Sequence, residues 1–123
     1  MKVLQIIPTF GVAGAEKVVL NYLKYNQSDT MHIKAISLYP SQNSMYDQEI
    51  AAKGLDVTYL HKGHVFDISG VKELKNAIKQ YNPDVIHTHL YALKYLLLTG
   101  EMKNRKIFHT IHNQPDKDVG KLD

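Results

Sequence analysis

The sequence predicts an α/β domain built on a doubly wound parallel sheet, and three observations carry that prediction. Apolar runs of strand length alternate with segments of helical period along the chain. The runs are short and almost continuously apolar, the pattern of strands covered on both faces. The breaks between them carry glycine, proline, asparagine or aspartate. Such alternation calls for parallel strands joined by helical crossovers, which turn right-handed.

Residues 2–7 read as a buried strand, and the loop over 8–14 carries Gly11 and Gly14. From Ala15 the period changes. Ala15, Val18, Val19, Tyr22 and Leu23 fall on one face of a helix, which Gln27, Ser28 and Asp29 break. Residues 32–39 form a second strand, closed by Pro40 and Ser41. Residues 44–53 read as a short helix with Gly54 just past its end. Residues 55–60 are a third strand, followed by a loop over 61–67. Val71, Leu74, Ile78 and Tyr81 then stripe one side of a helix that Asn82 and Pro83 stop. Lys72, Lys75 and Lys79 lie elsewhere on its circumference, a solvated surface before a membrane dock. A fourth strand over 84–88, a helix over 91–99 and a fifth strand over 105–111 complete a Rossmann-like series.

Composition narrows the function classes. The 123 residues hold 15 Lys+Arg against 12 Asp+Glu, and 44% are hydrophobic, which is ordinary for a soluble globular domain with one core. The absence of cysteine excludes disulfides, thiolate metal sites and cysteine nucleophiles. No apolar run approaches the ~20 residues of a membrane span, and the first residues lack the apolar core of a signal peptide. The excess charge is mild and spread along the chain, which argues against a nucleic-acid partner.

Ligands of open parallel sheets bind beyond the carboxyl ends of the strands. His61, His64, His87, His89 and His112 all fall in or beside those segments. Loop 8–14 is the best single feature: its glycines allow close backbone approach, and a helix start favours an anion. Two readings stay open there, a phosphate or diphosphate cradle and an ordinary strand-to-helix turn. The loop is neither G-x-G-x-x-G nor a P-loop, and Tyr39-Pro40 supplies no acid for a ribose, so dinucleotide binding is disfavoured. His87 and His89 share a face of their strand, a spacing a metal could use. No third ligand follows at a recognisable spacing, so hydrogen-bonded structural histidines are the stronger reading and no metal is expected. His109 and His112 are three apart and point to opposite faces of a continuing strand. No G-x-S-x-G elbow places a nucleophile.

Three motifs stand in series: P-T-F-G-V-A-G-A-E-K-V-V-L from Pro8 to Leu20, N-P-D-V-I-H-T-H-L from Asn82 to Leu90, and F-H-T-I-H-N from Phe108 to Asn113. In this order they resemble the amino-terminal domain of retaining family 4 glycosyltransferases, which have the GT-B fold. The resemblance implies a Rossmann-like acceptor-side domain over residues 1–113 and a truncated polar tail over 114–123. It implies transfer of a sugar from a nucleotide-sugar donor to a glycan or lipid-linked acceptor, with no cofactor. It gives the donor-diphosphate loop to the backbone of Ala13 and Gly14, the catalytic position to His112, and the cleft wall or acceptor side to Gly11, His89 and Asn113. Ala13 replaces a glycine that the family often has. Glu16 matches the acidic residue after the glycines and shapes the helix start. The donor-binding carboxy-terminal domain of such enzymes, with its E-x7-E segment, is expected as a missing partner, leaving this chain half a cleft. A cytoplasmic location follows from family habit, with peripheral contact at the inner membrane face where the acceptor is lipid-linked. The competing expectations are a non-catalytic Rossmann-like module for a phosphate ligand or partner, and an inert remnant.

Overall fold

A computed structural model describes residues 1–10, 14–26, 28–62 and 68–110. Its elements are β1 (Lys2–Ile7), α1 (Gly14–Tyr25), β2 (His32–Ser37), α2 (Met45–Lys53), β3 (Val57–Tyr59), α3 (Ile68–Tyr81), β4 (Val85–His89), α4 (Ala92–Thr99) and β5 (Lys106–Thr110). The strands form one parallel sheet in the order β3-β2-β1-β4-β5. The chain leaves β1 toward β2 and β3, then crosses back to lay β4 on the other side of β1. In open α/β sheets such a reversal, here at the carboxyl ends of β1 and β4, is the place where ligands bind.

Alternation along the strands divides the core of this single domain, expected from composition to be one, into two clusters on opposite faces of the sheet. Leu4 and Ile6 of β1 join Ile36, Ile86, Leu74, Ile78 and Leu96 on one face, beneath α3 and α4. Ile7 and Ala35 join Phe10, Ala15, Val19, Leu20 and Ile50 on the other, beneath α1 and α2. Leu4, Ile6 and Ile7 are wholly buried. Burying each such side chain contributes about 1.5–3 kcal/mol, which is why the central strand tolerates so little polarity.

Local signals set the ends of the helices. Ser44 caps α2, its hydroxyl accepting from the Asp47 N–H while the Asp47 carboxylate accepts from the Ser44 N–H. Gly54 ends α2 in the left-handed region at φ 61°, where a side chain would be strained. Asn82, also left-handed, ends α3 immediately before Pro83.

Beyond shifts of one residue at β4, α4 and β5, two strands and one helix face differ from the sequence expectation. The β2 ladder stops at Ser37, yet the Leu38 and Tyr39 N–H groups donate to the Ile7 and Pro8 carbonyls. The chain therefore still follows β1 beyond its last strand residue. β3 is only Val57–Tyr59, since Leu55 serves the end of α2 by donating to Ile50. The buried face of α1 is centred on Ala15, Val19 and Leu20, with Glu16 also buried, while Tyr22 is exposed. Leu20 displaces Val18 because the helix turns its Glu16–Leu20 row toward the sheet. The α3 stripe lies as its spacing predicts, with Leu74 and Ile78 fully buried.

Candidate functional site

The carboxyl ends of β1, β2 and β4 bring three segments together. The backbone leaving β1 is held firmly over its described part. Pro8 O accepts from the Tyr39 N–H and from the Ser37 hydroxyl, Phe10 is buried, and Phe10 O accepts from the Ser44 hydroxyl. One N-cap side chain thus ties α2 to the segment that precedes α1. Gly14 begins α1, so that helix start lies toward the carboxyl end of the sheet, where its dipole favours an anion. Glu16 lies in the first turn and is 3% exposed, a position the helix dipole stabilises.

Beneath α1 lies a row of imidazoles. His87 and His89 project to one face of β4, as their spacing requires, with ring centroids 4.1 Å apart. His89 is fully buried, and its Nε2 lies 2.7 Å from Gln5 Oε1 of the neighbouring strand. An acceptor oxygen at that distance puts the proton on Nε2. His87 Nε2 lies 2.6 Å from Thr110 Oγ1 of β5, and the Tyr22 ring stands 6.4 Å from the His87 ring. These bonds orient the rings across three strands. Among the described residues, no group of three or more His, Asp or Glu side chains could hold a metal.

On the opposite face, a cation sits among phenols. Lys62 follows β3 and is 8% exposed, with its N–H tied to Leu38 O. Its Nζ donates to Tyr39 Oη at 3.1 Å, lying 4.7 Å from the Tyr39 ring centre and 5.2 Å from that of Tyr95. Burial acts to lower the Lys62 pKa, but the Tyr95 and Tyr39 hydroxyls more than offset it, and the ammonium is favoured. The Tyr39 phenol is held below its ordinary value, first by the Lys62 hydrogen bond and then by the Tyr91 hydroxyl. Tyr91 moves the other way, pushed up by desolvation and by Tyr39. Tyr39 follows β2 and Tyr91 follows β4, so their interaction spans the end of β1. The turn carrying Tyr91 is sharp: Leu90 adopts φ 57°, which a side chain rarely accepts.

The sequence over residues 12–121 matches Glycosyltransferase Family 4. The chain belongs to that family. Among solved structures it is similar to a UDP-GlcNAc 2-epimerase from Neisseria meningitidis, solved bound to UDP-GlcNAc. The identity is 18% over 89% of this chain, with a TM-score of 0.62. At that identity the likeness speaks for the fold alone: the five-stranded sheet and four helices are a Rossmann-like half of a GT-B architecture. The family 4 chain spans 31% of the epimerase's length. No curated protein matches it.

Of the expected site residues, Gly14 opens α1, and His89 lies at the end of β4 on the α1 face, buried against Gln5. Gly11, Ala13, His112 and Asn113 lie outside the described residues, as does His64. His61 stands apart from the carboxyl ends of β1 and β4, gripped by Glu73, whose carboxylate takes both its N–H at 2.8 Å and its Nδ1 at 2.7 Å. His109 is exposed, its Nδ1 2.7 Å from Thr88 Oγ1 on the α4 side of the sheet. The Tyr39–Lys62–Tyr91 group was not legible as a site. Its members are 23 and more residues apart in the chain, and only the strand order joins them. The one available signal was an aromatic residue two positions past the end of each of two strands, Tyr39 after β2 and Tyr91 after β4.

Proposed function

We propose that this family 4 chain is the acceptor-side domain of a glycosyltransferase. It would move a sugar from a nucleotide-sugar donor to a glycan or lipid-linked acceptor, with retention at the sugar's anomeric carbon. The observation that carries the reading is the family match across nearly the whole chain, joined to a reversal of strand order at β1 and β4.

In this reading the backbone of Ala13 and Gly14, at the start of α1, faces the donor diphosphate, where helix amides favour negative charge. Gly11, His89 and Asn113 belong to the cleft wall on the acceptor side, His89 through its ordered place under α1. His112 stands beside the reacting groups. Retaining transfer on the donor's front face lets the leaving diphosphate take the acceptor proton. The protein is then asked mainly to position the groups and stabilise charge. No cofactor or metal is required by this scheme. A second domain supplies most of the donor contacts, and the enzyme works in the cytoplasm, at the inner membrane face when its acceptor is lipid-linked. No described helix is long and apolar enough to cross a membrane.

The test begins with the mass of the native gene product in its own cells, then assays sugar transfer by that product. UDP-sugars are the first donors to try, because the epimerase of similar fold binds one. His112→Ala should lower kcat about 100-fold or more with little change in donor KM. Near-normal turnover in that variant would remove His112 from the site. This chain alone should bind nucleotide weakly and transfer nothing. Tight nucleotide binding without turnover would favour a non-catalytic binding module instead.

A further inference from the structure

The Lys62–Tyr39–Tyr91 group is absorbed by none of the roles above. It lies on the α3 and α4 side of the sheet, whereas α1 and the imidazole row lie on the other. Its organisation is specific. An ammonium can only donate, so the oxygen of Tyr39 accepts from Lys62 at 3.1 Å. The Tyr91 hydroxyl interacts with the same oxygen, so Tyr39 accepts from both and its own O–H is the donor turned outward. A phenol that accepts a charged hydrogen bond becomes a stronger donor itself, because each bond polarises the next. Tyr39 is only part-buried, while Lys62 is 8% exposed and packed between the Tyr39 and Tyr95 rings. The charge is therefore inside and the donor is at the rim. The Tyr39 backbone, bonded to Pro8 O, fixes that rim against the segment leaving β1. Tyr91, 47% exposed, stands with its ring 6.1 Å from that of Tyr95, over which the Lys62 ammonium also lies, and its hydroxyl is turned to Tyr39.

We infer that Tyr39 and Tyr91 form a subsite for an anionic oxygen, phosphoryl or carboxylate, with Lys62 as the positioning residue that acts through the Tyr39 hydroxyl. The subsite is independent of the donor-diphosphate loop and stands whether or not the protein transfers a sugar. In a transferase it would select acceptors carrying a negative group. Tyr39 supplies the charge-assisted hydrogen bond, Tyr91 a neighbouring ring face and a hydroxyl that holds Tyr39 in place, and Lys62 the polarisation without itself meeting the ligand.

Titration of the chain with methyl phosphate, and separately with acetate, followed by amide NMR, tests this directly. Saturable shifts are expected at Tyr39, Lys62 and Tyr91 with at least one of the two anions, and none with methyl glucoside. The phosphate and acetate arms tell a phosphoryl from a carboxylate preference. Tyr39→Phe, which keeps the ring, should weaken binding by about 10-fold or more. Lys62→Met should weaken it comparably, and Lys62→Arg should restore most of it, a rescue that a purely structural lysine would not show through anion affinity. The NMR spectrum of each variant reports whether it is folded. Shifts confined to residues 8–14, unchanged affinity in folded Tyr39→Phe, or no binding of either anion would each overturn the subsite.

Discussion

The two faces of the sheet treat their polar residues differently at the same end of the molecule. Under α1, Gln5, His87 and His89 come from adjacent strands, and the register pairs Gln5 with His87 directly. Their geometry is set by the ladder, and His89 is wholly buried. On the α3 and α4 face, Tyr39, Lys62 and Tyr91 come from the segments that follow three strands, and two of them reach solvent. The first group is held rigid by backbone pairing. The second is held by one buried cation. A buried polar row costs free energy whenever a partner is lost, whereas a rim cluster can lose a hydroxyl at little cost to folding.

The severest way to break the contrast is to damage the strand both groups lean on. Ile6→Ala, at a fully buried position of β1, should cost about 2–5 kcal/mol in denaturant unfolding and loosen both faces together. A loss well under 1 kcal/mol would mean that β1 is not the keel of both clusters. His89→Ala separates the faces: stranding the Gln5 amide should cost about 1–3 kcal/mol. The paired replacement Gln5→Leu with His89→Leu should recover part of that loss, since neither member of this hydrogen bond is then left without the other. If the pair is no better than the single variant, the hydrogen bond is not what His89 contributes.

The gentlest probe is the ultraviolet titration of the phenols. Tyr39 should ionise below the ordinary phenol value, and Lys62→Met should move it back up while leaving the imidazole row unchanged. Tyr81 is pushed up to about 12, by burial and then by Asp56 and Asp84, and Tyr59 and Tyr91 are also raised. For a raised phenol the stability is fully present below its unfolded pKa and is lost as pH climbs toward the folded one. Stability should therefore fall between about pH 10 and pH 12. Unchanged unfolding midpoints across that window would contradict the buried settings of Tyr59 and Tyr81.

Much of this architecture was legible in the residues themselves. All five strands and four helices follow from apolar runs, helical period and punctuation, because capping and left-handed ends are local events: Ser44, Gly54 and Asn82 act within a few residues. Face selection on α1 was less legible. Periodicity proposes a stripe, but packing chose Leu20 over Val18 by turning the helix. The shared face of His87 and His89 follows from a two-residue strand repeat. The meeting of Tyr39 with Lys62 and Tyr91 does not, since no pairwise spacing encodes that β2 and β4 both flank β1.

That flanking has a consequence for synthesis. β1 is made before the other strands of this sheet, and β2 can pair with it early. Its other edge waits for β4, since Val3 meets Val85 and Ile6 meets Thr88. At roughly 5–20 residues per second, the ribosome leaves that edge open for about 4–16 seconds. During this interval the most apolar strand of the protein presents unpaired amides and carbonyls along one side. The nascent chain is therefore most exposed to misassociation between the synthesis of β1 and that of β4, and a chaperone that shields strand edges would act before residue 85 emerges.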